Sequence, residues 1–408
     1  MKIGIVGGSL AGCSAASLLI NAGHDITVFE RSANDLTGRG GGIGTSKEVV
    51  EQITKEGLIN VSFTCLTAKE MPFIGKNEAN EPFGRTAWSL PVEIKVFHWN
   101  ELWQQLRQNV PDSYYHAGVE IIDAYQLESG MVEIITKQDE KHQFDLLLFA
   151  DGYKSLGRKI LFPDKQLKYR GYVLWRGLLD ESEMRPGELE DNLPRMSYLD
   201  SAGHNVVYFI PNTDGSKETG ERIFNWAAYI AIPEAELNDL MKDKSGRVRS
   251  GTLPPGELSV DNELKLKKFL SKNIPEYYAE IVDKTVNSYI QVIYTLDLDA
   301  YYKDNMCLIG DAGVVVQPFT GSGVFKGHSN IKDLITSMAT HNNLEDALKE
   351  WSLQQVETGK KLLAYGEQLE KAFIWEPMNF SEAEEKDVAR WFKQAVTAPG
   401  EFNFERKT

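Results

Sequence analysis

Lys2-Ile-Gly-Ile-Val6, Gly7-Gly-Ser-Leu-Ala-Gly12 and Ile26-Thr-Val-Phe-Glu30 are the pieces of sequence on which the fold turns. The first is a short apolar run of the kind a parallel strand buried on both faces shows. The second is a glycine-rich turn that opens a helix, because Cys13–Asn21 carries Ala15, Ala16, Leu18 and Leu19 and the pattern stops at Gly23. The third is another apolar strand, and it closes on an acid. Strand, turn, helix, strand and acid in this order predict a βαβ nucleotide-binding unit. In GxGxxG register the glycine positions are Gly7, residue 9 and Gly12, and residue 9 is Ser9. Gly7 makes the tight turn, the second position lets backbone approach a pyrophosphate, and Gly12 lets helix and strand touch. Serine is the next smallest polar choice, so the site is altered rather than lost. Backbone N–H groups of Gly8, Ser9, Leu10 and Ala11 then face the phosphates, helped by the helix dipole. Glu30 is placed to accept the ribose hydroxyls of an adenosine. A carboxylate there disfavours a 2′-phosphate, which points to FAD or NAD and away from NADP.

Further along, Arg39-Gly-Gly-Gly-Ile-Gly44 lets the backbone pass close to a ligand, with a cation that can meet a diphosphate. Phe144-Asp-Leu-Leu-Leu-Phe-Ala-Asp-Gly-Tyr-Lys-Ser-Leu-Gly-Arg158 is a buried strand running into Asp151-Gly152, with Ser155 and Arg158 spaced beyond. Met306-Cys-Leu-Ile-Gly-Asp311 is again a buried strand ending in an acid, followed by Pro318-Phe-Thr-Gly-Ser-Gly323 and a helix. Between residues 170 and 296 the periodicity changes to that of strands. Tyr172, Leu174 and Arg176 alternate with Val173 and Trp175, and His204, Val206, Tyr208 and Ile210 share a face. A half-buried antiparallel sheet inserted between two halves of a nucleotide domain is the simplest arrangement. From residue 341 to 394 the pattern is helical, and Gly400–Thr408 reads as a frayed end.

The chain has 408 residues and a net charge of −15, from 44 Lys+Arg against 59 Asp+Glu. A field of that sign repels phosphate backbones and anionic lipid, which argues against nucleic acid and membrane partners. Cys13, Cys65 and Cys307 are an odd count without a CxxC pair, so neither a zinc site nor a redox dithiol is expected, and a reducing, cytoplasmic location is. No apolar run reaches the ~18 residues that a membrane span needs.

Taken together, the glycine turn, the Asp151-Gly152 and Gly310-Asp311 segments, and Tyr169-Arg-Gly-Tyr-Val-Leu-Trp-Arg-Gly177 resemble the single-component FAD-dependent aromatic hydroxylases, the para-hydroxybenzoate hydroxylase family. The look is nearest to its 2,6-dihydroxypyridine hydroxylase branch. The resemblance runs from residue 1 to about 335. It implies an α/β (α+β) fold: a Rossmann-like FAD-binding domain in two parts, 1–168 and 297–340, and an inserted antiparallel-sheet substrate domain, 169–296; beyond the resemblance, the helical pattern gives a C-terminal helical segment, 341–408. That segment would pack on the nucleotide domain or on a second subunit of a homodimer.

By the same resemblance, Glu30, with Arg31 beside it, would hold the adenosine ribose, and Arg39 with Gly40 the pyrophosphate. Asp151 and Gly152 would contribute to flavin and NAD(P)H binding, and Gly310 and Asp311 to the ribityl chain. Pro318 would sit by the flavin ring edge, and the backbone of Gly321, Ser322, Gly323 and Val324 would face its O2/N1 side. One departure is His98-Trp-Asn-Glu-Leu102, where the family often carries an arginine near residue 99. The substrate-pocket candidates are His204, Tyr208 and Arg176, with His204 as the group that would assist substrate ionisation. The implied cofactors are tightly but non-covalently held FAD, NAD(P)H as a transient reductant and O2, with no metal. The implied reaction is hydroxylation of a small aromatic or N-heteroaromatic molecule through a flavin C4a-hydroperoxide. Two alternatives are a flavin oxidoreductase without oxygen insertion, and a non-catalytic FAD-fold protein that binds a ligand or senses redox state.

Overall fold

The computed structural model describes residues 1–34, 36–77, 82–186, 191–199 and 201–397, so the expected frayed end at 400–408 lies outside the described residues. Lys2–Val6 is central in a six-stranded sheet, paired in parallel with Asp25–Glu30 on one side and Leu146–Phe149 on the other. Met306–Leu308 continues the sheet in parallel beyond Leu146–Phe149, and Tyr115–Ala117 does so beyond Asp25–Glu30. Ile3, Ile5, Leu146 to Phe149, Cys307 and Leu308 are fully buried. Helices cover the sheet, so its central strands have no polar face, and this is why their sequences read as unbroken apolar runs. The helix Leu10–Asn21 connects the first two strands and packs on the helices Lys326–Thr340 and Trp99–Gln108.

The second sheet has nine strands, in the order Thr252–Leu253, Tyr289–Thr295, Lys168–Asp180, Ile223–Ala231, Gly203–Ile210, Arg195–Ser197, Leu66–Gly75, Arg85–His98 and Gly42–Ser46. All of its pairings are antiparallel except Arg195–Ser197 against Leu66–Gly75. Six of these strands come from the stretch where the sequence shows two-residue alternation. The other three come from residues 42–98. Their strand character is hard to read because Arg85–His98 carries Pro91 and half-buried charges such as Glu93 and Lys95, which blur the alternation. A small three-stranded antiparallel sheet, Ile121–Gln126, Val132–Thr136 and Lys141–Phe144, flanks the first.

The C-terminal segment is a 27-residue helix, Leu344–Glu370, then a π-helical turn, Lys371–Trp375, and a final helix, Glu385–Val396. It enters both cores of its own chain. Leu348 and Trp351 pack with the parallel sheet, and Leu369, Phe373, Phe380 and Val388 pack with the large one. Among the described residues no helix is long and apolar enough to cross a membrane.

Candidate active site

The glycine turn is held from several directions. Gly7 has φ +105°, and a Cβ there would lie 2.5 Å from the Ala150 carbonyl oxygen. A Cβ on Gly12 would lie 1.8 Å from the Gly7 oxygen, so helix and strand meet without room for a side chain. The Gly8 N–H donates to Glu30 Oε2 at 2.9 Å, and Ser32 N–H donates to Oε1 at 2.9 Å. Glu30 is buried, yet each oxygen keeps a second lone pair for a ribose hydroxyl. The Gly8 carbonyl accepts from Trp103 Nε1 at 3.1 Å, Tyr115 Oη at 3.0 Å and the Cys13 thiol at 3.2 Å. The sequence shows no sign of this clamp, because Trp103 and Tyr115 are about a hundred residues away. Burial pushes the Cys13 thiol up to about 12, so it is a packing residue. Ser9 caps the helix by position, but its side chain makes no capping bond and is free for a ligand.

The loop 38–42 docks on the start of helix Trp99–Gln108. Trp99 N–H donates to the Gly41 oxygen at 2.9 Å, and Gly38 N–H to Asn100 Oδ1 at 3.1 Å. Gly40 is left-handed, at φ +81°, with Trp99 filling the space where its Cβ would be. Trp99, which stands where the family often has arginine, therefore supports the loop. Arg39 and Arg31 are exposed, and Arg39 Nη2 lies 3.4 Å from Ser32 Oγ, by the end of the strand that carries Glu30.

Asp151 Oδ2 accepts from Leu156 N–H at 2.6 Å, while Oδ1 is buried without a partner. Burial pushes its pKa up, against the pull of hydrogen bonds from Ser155 and the following helix start. Buried Arg158 donates from Nη1 to the carbonyls of Ala312, at 3.1 Å, and Asp311, at 3.4 Å, and from Nη2 to that of Tyr153. It thus bolts the Asp151-Gly152 turn to the Gly310-Asp311 turn. Asp311 pairs with Lys326 Nζ at 2.5 Å, a buried cation that also donates to the Val314 oxygen at 2.7 Å. Lys326, like Trp103 and Tyr115, is a residue for which the sequence carries no signal. A Cβ on Gly310 would lie 3.2 Å from Ala11 Cβ, which brings this turn against the first helix. Gly7–Gly12, Asp151-Gly152 and Gly310-Asp311 therefore meet at the carboxyl ends of three neighbouring parallel strands, where open α/β sheets bind ligands. Gly152, Gly321 and Gly323 border open space, since a Cβ at any of them meets nothing within 4 Å. Pro318 opens a short 3-10 turn that ends at left-handed Gly321, and Ser322 Oγ lies 2.8 Å from Thr320 Oγ1 just before Val324.

The large sheet brings Arg176, Tyr208 and His204 to one face. Arg176 Nη2 donates to the Gly42 oxygen at 2.7 Å, and Asn225 Oδ1 accepts from Gly42 N–H at 2.8 Å. These two bonds tie the sheet face to the glycine loop. Burial pushes the Tyr208 and Tyr229 hydroxyls up to about 12, although Arg176 and Arg195 pull them the other way. His204 stacks on Tyr229, with ring centroids 4.6 Å apart and planes 13° apart. Its Nε2 lies 3.0 Å from Arg195 Nη1. A guanidinium can only donate, so the Nε2 lone pair accepts that bond. Burial first, and the Arg195 charge second, drive the His204 pKa well below its ordinary value. The expectation that His204 assists ionisation as a base is corrected here: its basic lone pair is occupied and its protonated form is disfavoured. It positions Arg195.

Two family models match the chain, an NAD(P)-binding Rossmann-like domain over residues 5–51 and an FAD binding domain-like model over residues 169–295. A 2,6-dihydroxypyridine 3-monooxygenase of Paenarthrobacter nicotinovorans is 26% identical over 371 residues, 89% of each chain. The solved 2,6-dihydroxypyridine-3-hydroxylase from Arthrobacter nicotinovorans superposes with a TM-score of 0.82 at 22% identity, covering 100% of this chain and 99% of that one. The chain has the fold of the FAD-dependent aromatic hydroxylases. Klebsiella pneumoniae HpxO complexed with FAD and uric acid shares it, with a TM-score of 0.72 at 17% identity over 98% of this chain and 93% of that one. The residues present fit an FAD. The open backbone at Gly152, Gly321 and Gly323, the unengaged Ser9 hydroxyl and the orphaned Asp151 oxygen are features that a bound dinucleotide would use.

Proposed function

We propose that the protein is an FAD-dependent, NAD(P)H-using monooxygenase that hydroxylates a small aromatic or N-heteroaromatic ring. The observation that carries this reading is that the 38–42 loop is tied through Gly42 to the Arg176–Tyr208 sheet face, and through Gly41 to the helix Trp99–Gln108 whose Trp103 holds Gly8 of the glycine turn. Such a junction suits a dinucleotide and a flat ring lying side by side. Bound FAD supplies the redox chemistry, oxygen activation included. The chain's own residues do the rest. Glu30, Ser9 and the Gly8–Gly12 backbone bind the adenosine and pyrophosphate side, with Arg31, Arg39 and Gly40 beside them. Asp151, Gly152, Gly310, Asp311, Pro318 and the 321–324 backbone hold the flavin side. Arg176 and Tyr208 orient the substrate, and Phe319 and Phe373, whose ring centroids lie 5.2 Å from Tyr229 and 5.0 Å from His204, cover the face and exclude water. Ring, O2, NAD(P)H and one proton give hydroxylated ring, NAD(P)+ and water. Three free cysteines fit a reducing, cytoplasmic setting, and the charge of −15 argues against a nucleic-acid partner.

The test is purification of the full chain, a visible flavin spectrum, and parallel measurement of NAD(P)H and O2 consumption with hydroxypyridines and phenols. One oxygen atom inserted per NAD(P)H supports the reading. Oxidised product without inserted oxygen points to an oxidoreductase, and a chain that takes up no added FAD sinks the proposal. Gly12→Val, whose branched side chain meets the Gly7 carbonyl, should lose flavin on gel filtration.

A further inference from the structure

Four hydrogen-bonded strands set Arg176, Ala227, Val206 and Arg195 in one cross-strand row, because Arg176 pairs with Ala227, Ala227 with Val206, and Val206 with Arg195. Residues directly opposite each other in antiparallel strands point to the same face. Two arginines therefore close the ends of a row whose middle is two small side chains. Three strand spacings separate their Cα atoms, about 14 Å. Tyr208 and Asn225 pair on one side of this row, and His204 and Tyr229 on the other. Phe373 covers the Arg195 end, its ring centre 4.8 Å from the guanidinium carbon, and Gly41–Gly42 covers the Arg176 end. We read this arrangement as a slot with a small floor, aromatic walls and a cation at each end.

Three other inward arginines among the described residues are forked onto carboxylates or carbonyls. Arg170 is forked onto Glu370, Arg222 onto Glu181 and Asp191, and Arg158 onto backbone carbonyls. The two slot arginines have only neutral partners. Arg176 meets the Gly42 oxygen and Asn225 Oδ1, with its Nε buried and unbonded. Arg195 meets His204 Nε2 and Met71 Sδ. Among the described residues neither pairs with a carboxylate. Two cations withdrawn from water without counter-charge are costly, and an anionic ligand relieves both.

We propose that the substrate is a flat aromatic or N-heteroaromatic dianion whose anionic groups sit on opposite edges of the ring. Both are carboxylates, each suited to a guanidinium fork. The proposal rests on reading this sheet face as the substrate side of the monooxygenase. The test is calorimetric titration of the full-length, FAD-supplemented protein with terephthalate, its isomer phthalate and neutral benzamide. Terephthalate should bind about tenfold or more tighter than either, as expected when a charge-assisted contact is gained. Arg176→Gln and Arg195→Gln should each erase that advantage, and Arg195→Lys should restore part of it. Equal affinity for the two isomers, or no binding of terephthalate, overturns the proposal on the unmodified protein, whatever the variants do to folding. Isomer discrimination without NAD(P)H-dependent flavin reduction would keep the slot and remove the monooxygenase. Flavin reduction without discrimination would do the reverse.

Discussion

His204 shows how far a residue type can mislead at the scale of single side chains. A histidine on an inward strand face invites a base, and only the neighbour decides. Arg195 is nine residues away in sequence, on the adjacent strand, and it takes the Nε2 lone pair. The consequence is a positioning role, with a signature that a base would not give. His204→Gln keeps an acceptor for the guanidinium and should leave both kcat and the pH profile of kcat near those of the unmodified enzyme. His204→Ala removes the acceptor and should raise KM several-fold with a smaller change in kcat, since a misplaced Arg195 weakens substrate binding. A kcat lost equally in both variants, together with one limb of its pH profile, would restore the base.

At the scale of elements, the C-terminal helix turns out to be part of the site's frame. Glu370, at its end, accepts from Arg170 Nε at 2.9 Å and Nη2 at 2.8 Å, Gln317 Nε2 at 2.8 Å and Trp375 Nε1 at 3.0 Å. Gln317 immediately precedes Pro318, so the helix anchors the 3-10 turn that Pro318 opens. Burial alone would raise the Glu370 pKa, but the hydrogen bonds from Arg170, Gln317 and Trp375 outweigh it and hold it below the ordinary carboxylate value. Glu370→Gln leaves Arg170 with only the more exposed Glu367, 3.4 Å from its Nη1, and should cost about 2 kcal/mol, read as a lower Tm at neutral pH. The sign of the pH dependence follows from the depressed pKa. The carboxylate contributes its full stability above its unfolded value of about 4.3 and loses it as pH falls through the folded value. The Tm gap between unmodified protein and variant should therefore narrow in acid, and a gap independent of pH would rule out the ionised carboxylate as its source. The helix itself is legible from the spacing of Ala347, Leu348, Trp351 and Leu362. Its partners are not, because a periodicity gives the buried face of a helix and not what covers it.

For the whole molecule, the chain crosses between the two sheets more than once. Leu66, Met71 and Phe73, from the first hundred residues, share a core with Val207, Trp226 and Ile290. Arg195–Ser197 completes its pairing on Leu66–Gly75. Residues 169–296 expressed alone would expose that strand edge and half a core, and should give no native sheet by circular dichroism and aggregate instead. A soluble, cooperatively melting fragment would show that the inserted segment is autonomous. Sequence by itself determined the nucleotide unit, because Gly7, Gly12 and Glu30 are local demands of one turn, one close approach and one strand end. It also determined the alternating strands around 172–176 and 204–210 and the net charge, but not the short strands Arg195–Ser197 and Thr252–Leu253. Tertiary structure alone decided that residues 42–98 join the large sheet, that Trp103 and Tyr115 clamp Gly8, and that Lys326 meets Asp311. It alone set Arg176 and Arg195 facing each other across Ala227 and Val206. Those are relations between strands and helices far apart in the chain, fixed by register and packing, and a one-dimensional pattern carries no record of which strands become neighbours.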